Sequence, residues 1–219
     1  MIVGGLPLFL NIGPVGPVGP WSFVAAGTVT SWASVSATDV PVPAGILAKD
    51  LLILWSGNYS AQPYTPLPSG WTSLYSYNTL GDSIVVLYKV SDGTETVASL
   101  THSSTAGKRA VILAYRGTTL APFDVSSTAA QSNSTPVTTN SLTTALNNEL
   151  VISFCYTRQN VTEPSTPAST TSRVSNVGAA TYPSFRIVDE NKATAGATTG
   201  RAFTTAAPSV AMSSAFKQA

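Results

Sequence analysis

Four stretches constrain this chain more than anything else in it. "DLLILW" (50–55), "SIVVLYKV" (83–90), "RAVILAYRG" (109–117) and "ELVISFCYT" (149–157) are near-continuous apolar runs, rich in branched and aromatic residues. They are bounded by Gly, Pro, Asn and Ser clusters, the pattern of buried strands in a sandwich or barrel. Weaker strand signals lie at 23–35, 71–77, 96–102, 184–189 and 209–217. Turn chemistry punctuates them in "PVPAG" (41–45), "PSGW" (68–71) and "SDGT" (91–94). No segment carries an i, i+3, i+4, i+7 apolar stripe over three turns. The one helix-compatible piece, "NSLTTALNNEL", places Thr and Asn where a stable helix prefers Ala, Glu or Lys.

The chain is long enough for one large β domain or two small ones, and 43% hydrophobic residues suffice for a real core. Only 10% of residues are charged and the net charge is +1. Nothing here neutralises a row of phosphates, so nucleic acid is excluded as a partner. No basic run holds an anionic membrane surface. Hydroxyls supply the polar surface instead: about a quarter of the chain is Ser or Thr. The single cysteine, Cys155, forbids an intrachain disulfide and leaves the redox compartment open.

The first 21 residues stand apart. Ile2, Val3, Leu6, Leu8, Phe9 and Leu10 make an apolar leader too short and too interrupted for a membrane-spanning helix. We read it as an uncleaved hydrophobic arm. "GPVGPVGPW" (13–21) follows, with Gly13, Gly16 and Gly19 each preceding a proline: Pro14, Pro17 and Pro20. Collagen geometry needs glycine at every third residue, because only hydrogen fits at the crowded axis of three chains. Two readings stay open: a single extended polyproline arm, or a local three-chain bundle held by trimerisation of the adjoining domain. Either makes a stiff spacer that holds an apolar tip away from the body. A docking plug for another protein is the expected use.

Candidate chemistry is sparse. His102 is the only histidine and Cys155 the only cysteine; they form a nucleophile–base pair on paper, but Cys155 falls inside a predicted buried strand. The ten carboxylates are dispersed; Asp189 and Glu190 are neighbours whose side chains point to opposite faces of a strand. One histidine and one cysteine are too few soft ligands for a metal motif, and no P-loop or dinucleotide fingerprint occurs. We expect no catalytic residue, no metal and no cofactor. Asn58, Asn133 and Asn160 begin Asn-x-Ser/Thr triplets at the frequency this composition gives by chance. The loop 56–70 carries Asn58, Tyr59 and Tyr64, a candidate surface for stacking on sugar rings; the competing expectation is that both tyrosines pack the loop onto the body. A second long loop spans 157–173.

In order, "VPVPAGILAKDLLILWSG", "PLPSGWTSLYS", "SIVVLYKVSDGTET", "AVILAYRGT" and a last strand "VAMSSAFKQA" resemble a β-sandwich domain found in phage and prophage structural proteins of the tail-fibre type. The resemblance covers most of residues 40–124 and the final strand. It implies a non-enzymatic virion protein with no catalytic residues. The expectation is an all-β, jelly-roll-type sandwich over 22–219 with an extended N-terminal arm over 1–21. The expected role is a short, homotrimeric tail fibre or spike in the virion. The arm binds other virion proteins, and loops at the far end are candidate contacts to host-surface glycan. A capsid decoration protein is the alternative; a carbohydrate-binding or glycan-cleaving module is the second. Within the body, Gly70 is expected to turn the chain so that Trp71 closes the core, and Arg116 to pair with Asp124 or Asp92.

Overall fold

A computed structural model describes residues 20–34, 37–79, 81–133, 135–158, 162–177, 181–205 and 208–218. Of the predicted arm, Ile2, Val3, Leu6, Leu8, Phe9, Leu10, Gly13, Pro14, Gly16, Pro17 and Gly19 lie outside these residues, and exposed Pro20 lies within them. The described residues are all-β, without a helix.

The first half of the chain forms β1 (Ser22–Ala26), β2 (Thr30–Trp32), β3 (Thr38–Pro41), β4 (Leu51–Asn58), β5 (Thr72–Thr79), β6 (Asp82–Val90), β7 (Val97–Leu100) and β8 (Lys108–Arg116). The second half forms β9 (Thr118–Ser126), β10 (Ala130–Ser132), β11 (Val137–Thr138), β12 (Thr143–Thr144), β13 (Glu149–Thr157), β14 (Thr171–Asn176), β15 (Ser184–Lys192), β16 (Gly196–Ala197), β17 (Ala202–Phe203) and β18 (Ser209–Gln218). The four strong apolar runs become β4, β6, β8 and β13.

Each half builds its own antiparallel sheet. The first runs β1-β8-β4-β6-β5, with β2 also on β8; the second runs β10-β18-β13-β15-β14, with β9 also on β18. These are the same sheet made twice. Leu51 pairs with Tyr115 as Leu150 pairs with Phe216, and Asn58 pairs with Lys108 as Thr157 pairs with Ser209. Even the irregularities recur. One extra residue, Val24, bulges between Phe23 and Ala25, and Asp124 does so between Phe123 and Val125. A second bulge falls between Ser73 and Tyr75 and again between Ser172 and Val174. Left-handed backbone precedes the central strand in both halves, at Lys49 (φ 72°) and Asn148 (φ 60°). In both, a carboxylate one residue later accepts the amide three residues back: Leu47 N to Asp50 (2.7 Å) and Leu146 N to Glu149 (2.6 Å). The turn before β5 is left-handed at Gly70 (φ 79°), as expected; its counterpart is Ser169 (φ 63°).

The two sheets pack face to face over one shared core that includes Trp55, Ile53 and Tyr115 from the first half and Phe154, Phe185 and Phe216 from the second. Trp55 stacks on Phe185 at 4.3 Å. The outer faces are covered too. The β3–β7 ladder lies over Leu52, Leu54, Leu87 and Ile112, with Trp71 partly buried at its margin. The β11–β17 ladder, through Val137 and Phe203, covers Cys155, Val188 and Ala211. Leu142, beside the β12–β16 ladder, covers Val151 and Ala215. Four layers result. Antiparallel strands normally alternate apolar with polar because one face meets water. Here both faces are covered, so β4 and β13 are buried at every position. The expected single jelly-roll sandwich named neither the duplication nor the outer ladders.

Candidate functional site

The sandwich has two distinct ends, and the chain enters at one of them. Trp21, placed in the arm by sequence, is 6% exposed and belongs to the shared core. It sits beside Gly117 and, with Phe23, Tyr115, Leu150 and Arg173, closes the gap between the sheets. Arg173 reinforces this end: its guanidinium lies 4.6 Å from the Phe23 ring centre and its Nε donates to Asp189 at 2.7 Å. Of the described residues, Trp21 is thus the first to pack into the shared core.

Two of the three residues singled out for sugar stacking are buried, although residues 61–63 and 65–67 of their loop are exposed. Asn58 is fully buried and Tyr64 is 6% exposed. Tyr64 packs edge-on against His102 at 4.6 Å, its hydroxyl 2.8 Å from that of Ser56, which donates to the Arg109 carbonyl at 2.9 Å. The Asn58 amide nitrogen is 2.7 Å from His102 Nε2. Tyr59 is half-buried and donates to the Tyr182 carbonyl across the two halves. The two tyrosines of this loop thus hold it against the body. The packing expectation for the tyrosines is the one the structure supports.

His102 is a structural group here. Its Nδ1 accepts the Ser104 amide and its Nε2 lies 3.0 Å from Ser83 Oγ. Burial pushes its pKa down to about 4, so the ring is neutral at pH 7. Cys155 belongs to the cluster on the outer face of the second sheet, whereas His102 joins residues on the outer face of the first. The two cannot form a catalytic pair, and burial pushes the Cys155 thiol well up.

Each of the ten carboxylates is engaged within the chain. Arg116 pairs with Asp50 (2.8 Å) rather than with Asp124 or Asp92, because β8 and β4 are neighbours and bring the two together at one sheet end. Arg158 holds Asp82 (2.8 Å), Arg173 holds Asp189, Arg186 holds Glu163 (2.7 Å), Arg201 holds Glu190 and Lys89 holds Glu95 (2.8 Å). Asp189 and Glu190 do point apart, each to its own arginine. Asp39 accepts from Ser99, Asp92 from Thr94, Asp124 from the Ala145 amide and Glu149 from the Leu146 amide. Burial and the neighbouring Asp124 raise the pKa of Glu149.

At the end opposite Trp21 the gap between the sheets stays open among the described residues. Tyr77 and Asp82 of the first half, with Gln131, Asn133, Arg158 and Val210 of the second, line a cavity of about 180 Å³. Tyr156 donates to Asp82 at 2.8 Å behind it. Sequence reasoning missed this place because the ends of five strands, β5, β6, β10, β13 and β18, converge there from distant parts of the chain. Comparison with known protein families, with curated proteins and with solved structures finds no match.

Proposed function

We propose that this chain is a non-enzymatic structural protein of a phage virion, a short trimeric tail fibre or spike held to the particle by its N-terminal arm. The observation that carries the reading is the root at Trp21. An apolar leader and a proline-rich strut are joined to a four-layer body through a tryptophan locked into the shared core. A strut transmits position only if its base cannot swivel, and burial of a large aromatic supplies that base. The fixed root also gives the body a direction, with one end toward the attachment point and the other outward. The engagement of all ten carboxylates in ion pairs, caps and turns supports a structural role. So do the resemblance of residues 40–124 to tail-fibre domains and the collagen-like spacing of the strut.

The test separates anchoring from folding. Removal of residues 1–19, keeping Pro20 and Trp21, should leave a folded β protein by circular dichroism and abolish incorporation into particles. The full chain should have the solution mass of a trimer. A monomer at micromolar concentration, or a truncated chain that still enters particles, overturns the reading. Location of labelled protein on the tail or on the capsid then decides between a fibre and a decoration protein.

A further inference from the structure

The duplicated fold contains its own control for the open cavity. Val210 on β18 holds the position that Arg109 holds on β8: Val210 pairs with Gln131 and Tyr156, and Arg109 pairs with Ser31 and Gly57. In the first half the long Arg109 side chain runs between the sheet ends and fills the space. Its guanidinium donates to Val177 O (2.7 Å), Pro183 O (3.2 Å) and the Asn176 side chain, and lies over the Tyr182 ring. In the second half valine stops short, and the space it leaves is the cavity.

The lining specifies the occupant. Asp82 and Arg158 neutralise one another, so a charged ligand would have to compete with an ion pair already made. Gln131 and Asn133 add planar donor–acceptor groups, while the Tyr77 ring and Val210 supply an apolar wall. A ligand with hydroxyls around its edge and C–H groups on its face matches both surfaces. The volume admits about six waters at roughly 30 Å³ each, well under the several hundred Å³ of larger organic ligands. We propose that this cavity binds a single neutral sugar ring, entering from the end of the sandwich opposite Trp21. The inference stands on the cavity and on the two halves of the fold; it does not rest on the virion assignment.

The test is ligand-observed and protein-observed NMR on the full chain. The probes are D-glucose, D-galactose, D-mannose and N-acetyl-D-glucosamine, with D-glucuronate as the charged control. At least one neutral sugar should bind with a Kd on the order of millimolar and shift the amides of Gln131, Ser132 and Val210. Val210→Arg, which refills the space as Arg109 does in the other half, should weaken binding by about tenfold or more. Asn133→Ala, at the exposed mouth, should weaken binding without changing the melting temperature, and it answers the question if Val210→Arg does not fold. The proposal is overturned if no neutral sugar binds at about 50 mM, if glucuronate binds better than all four, or if Val210→Arg folds and binds like the wild type.

Discussion

The two halves share a backbone and a few core side chains, such as Leu51 with Leu150 and Ile53 with Ile152, but differ at most positions. Strand order, pairing register, both bulges and two left-handed positions repeat, yet Trp55 answers to Phe154, Arg109 to Val210, Gly70 to Ser169 and Asp50 to Glu149. The difference teaches where each kind of constraint acts. Backbone irregularities are fixed by how strands must twist and turn, so they persist. Side chains that meet across the sandwich must fit each other, so the bulky ones have diverged while Leu51 and Leu150, Ile53 and Ile152 stay alike. Gly57 and Tyr156 occupy equivalent positions and face each other. A Cβ on Gly57 would lie 2.8 Å from the Tyr156 ring. Two tyrosines would not fit there, so one half gave up its side chain to accommodate the other's ring.

The strongest challenge to the comparison is to empty the equivalent core positions. Trp55→Ala and Phe154→Ala should each lower stability by about 3–5 kcal/mol in chemical denaturation, in one cooperative transition. Two transitions, with each variant shifting only one, would mean that the halves are separate folding units. Acid separates the halves next. Where the first half has His102, two residues past Leu100, the second has Thr205, two past Phe203. A histidine whose folded pKa is depressed stabilises the fold above its unfolded value and loses that contribution as protons bind. Stability should therefore fall between pH 6.5 and about 4, on the order of 3 kcal/mol, and His102→Gln should flatten that limb in melting temperature against pH. An unchanged limb in the variant would place the acid sensitivity elsewhere.

The meeting of Gly57 with Tyr156 predicts that Gly57→Ala costs about 1–3 kcal/mol by thermal or chemical denaturation, although alanine suits a strand better than glycine. A neutral or stabilising result would mean that the ring has room to move. The smallest effects lie in the two turns before the central strands. Asp50→Ala removes a buried carboxylate from Arg116 and the Leu47 amide and should cost about 1–3 kcal/mol. Among the described residues Glu149 has no such cation; burial, and then the neighbouring Asp124, raise its pKa. A carboxyl raised in the fold is stabilising when protonated and loses that contribution as pH rises through its folded value. Glu149→Gln should therefore be neutral or stabilising by up to about 1 kcal/mol at pH 7, and without effect below pH 4.5. Equal costs for the two substitutions at pH 7 would show that the turns are held in the same way.

Much of the fold was legible in the strand runs, since "DLLILW" and "ELVISFCYT" carry their burial in composition. Even the duplication left a trace: Asp50-Leu51-Leu52-Ile53 and Glu149-Leu150-Val151-Ile152 open equivalent strands. It escaped notice because the flanking residues diverge, as in "PSGWTSLY" against "PASTTSRV". The candidate site was less legible. Asn58 and Tyr64 looked like surface residues because they sit in a polar, proline-rich stretch; the hydrogen bonds that bury them come from His102 and Ser56, which the local pattern does not reveal.

The sequence alone determined that this is an all-β chain with a buried thiol and sparse charge, because those properties follow from local composition and spacing. Only the tertiary structure decided that one sheet is made twice, that Trp21 belongs to the shared core, and that Val210 leaves open what Arg109 closes. Each of these depends on which residues become neighbours when strands distant in the chain pair and pack, and no local pattern carries that information.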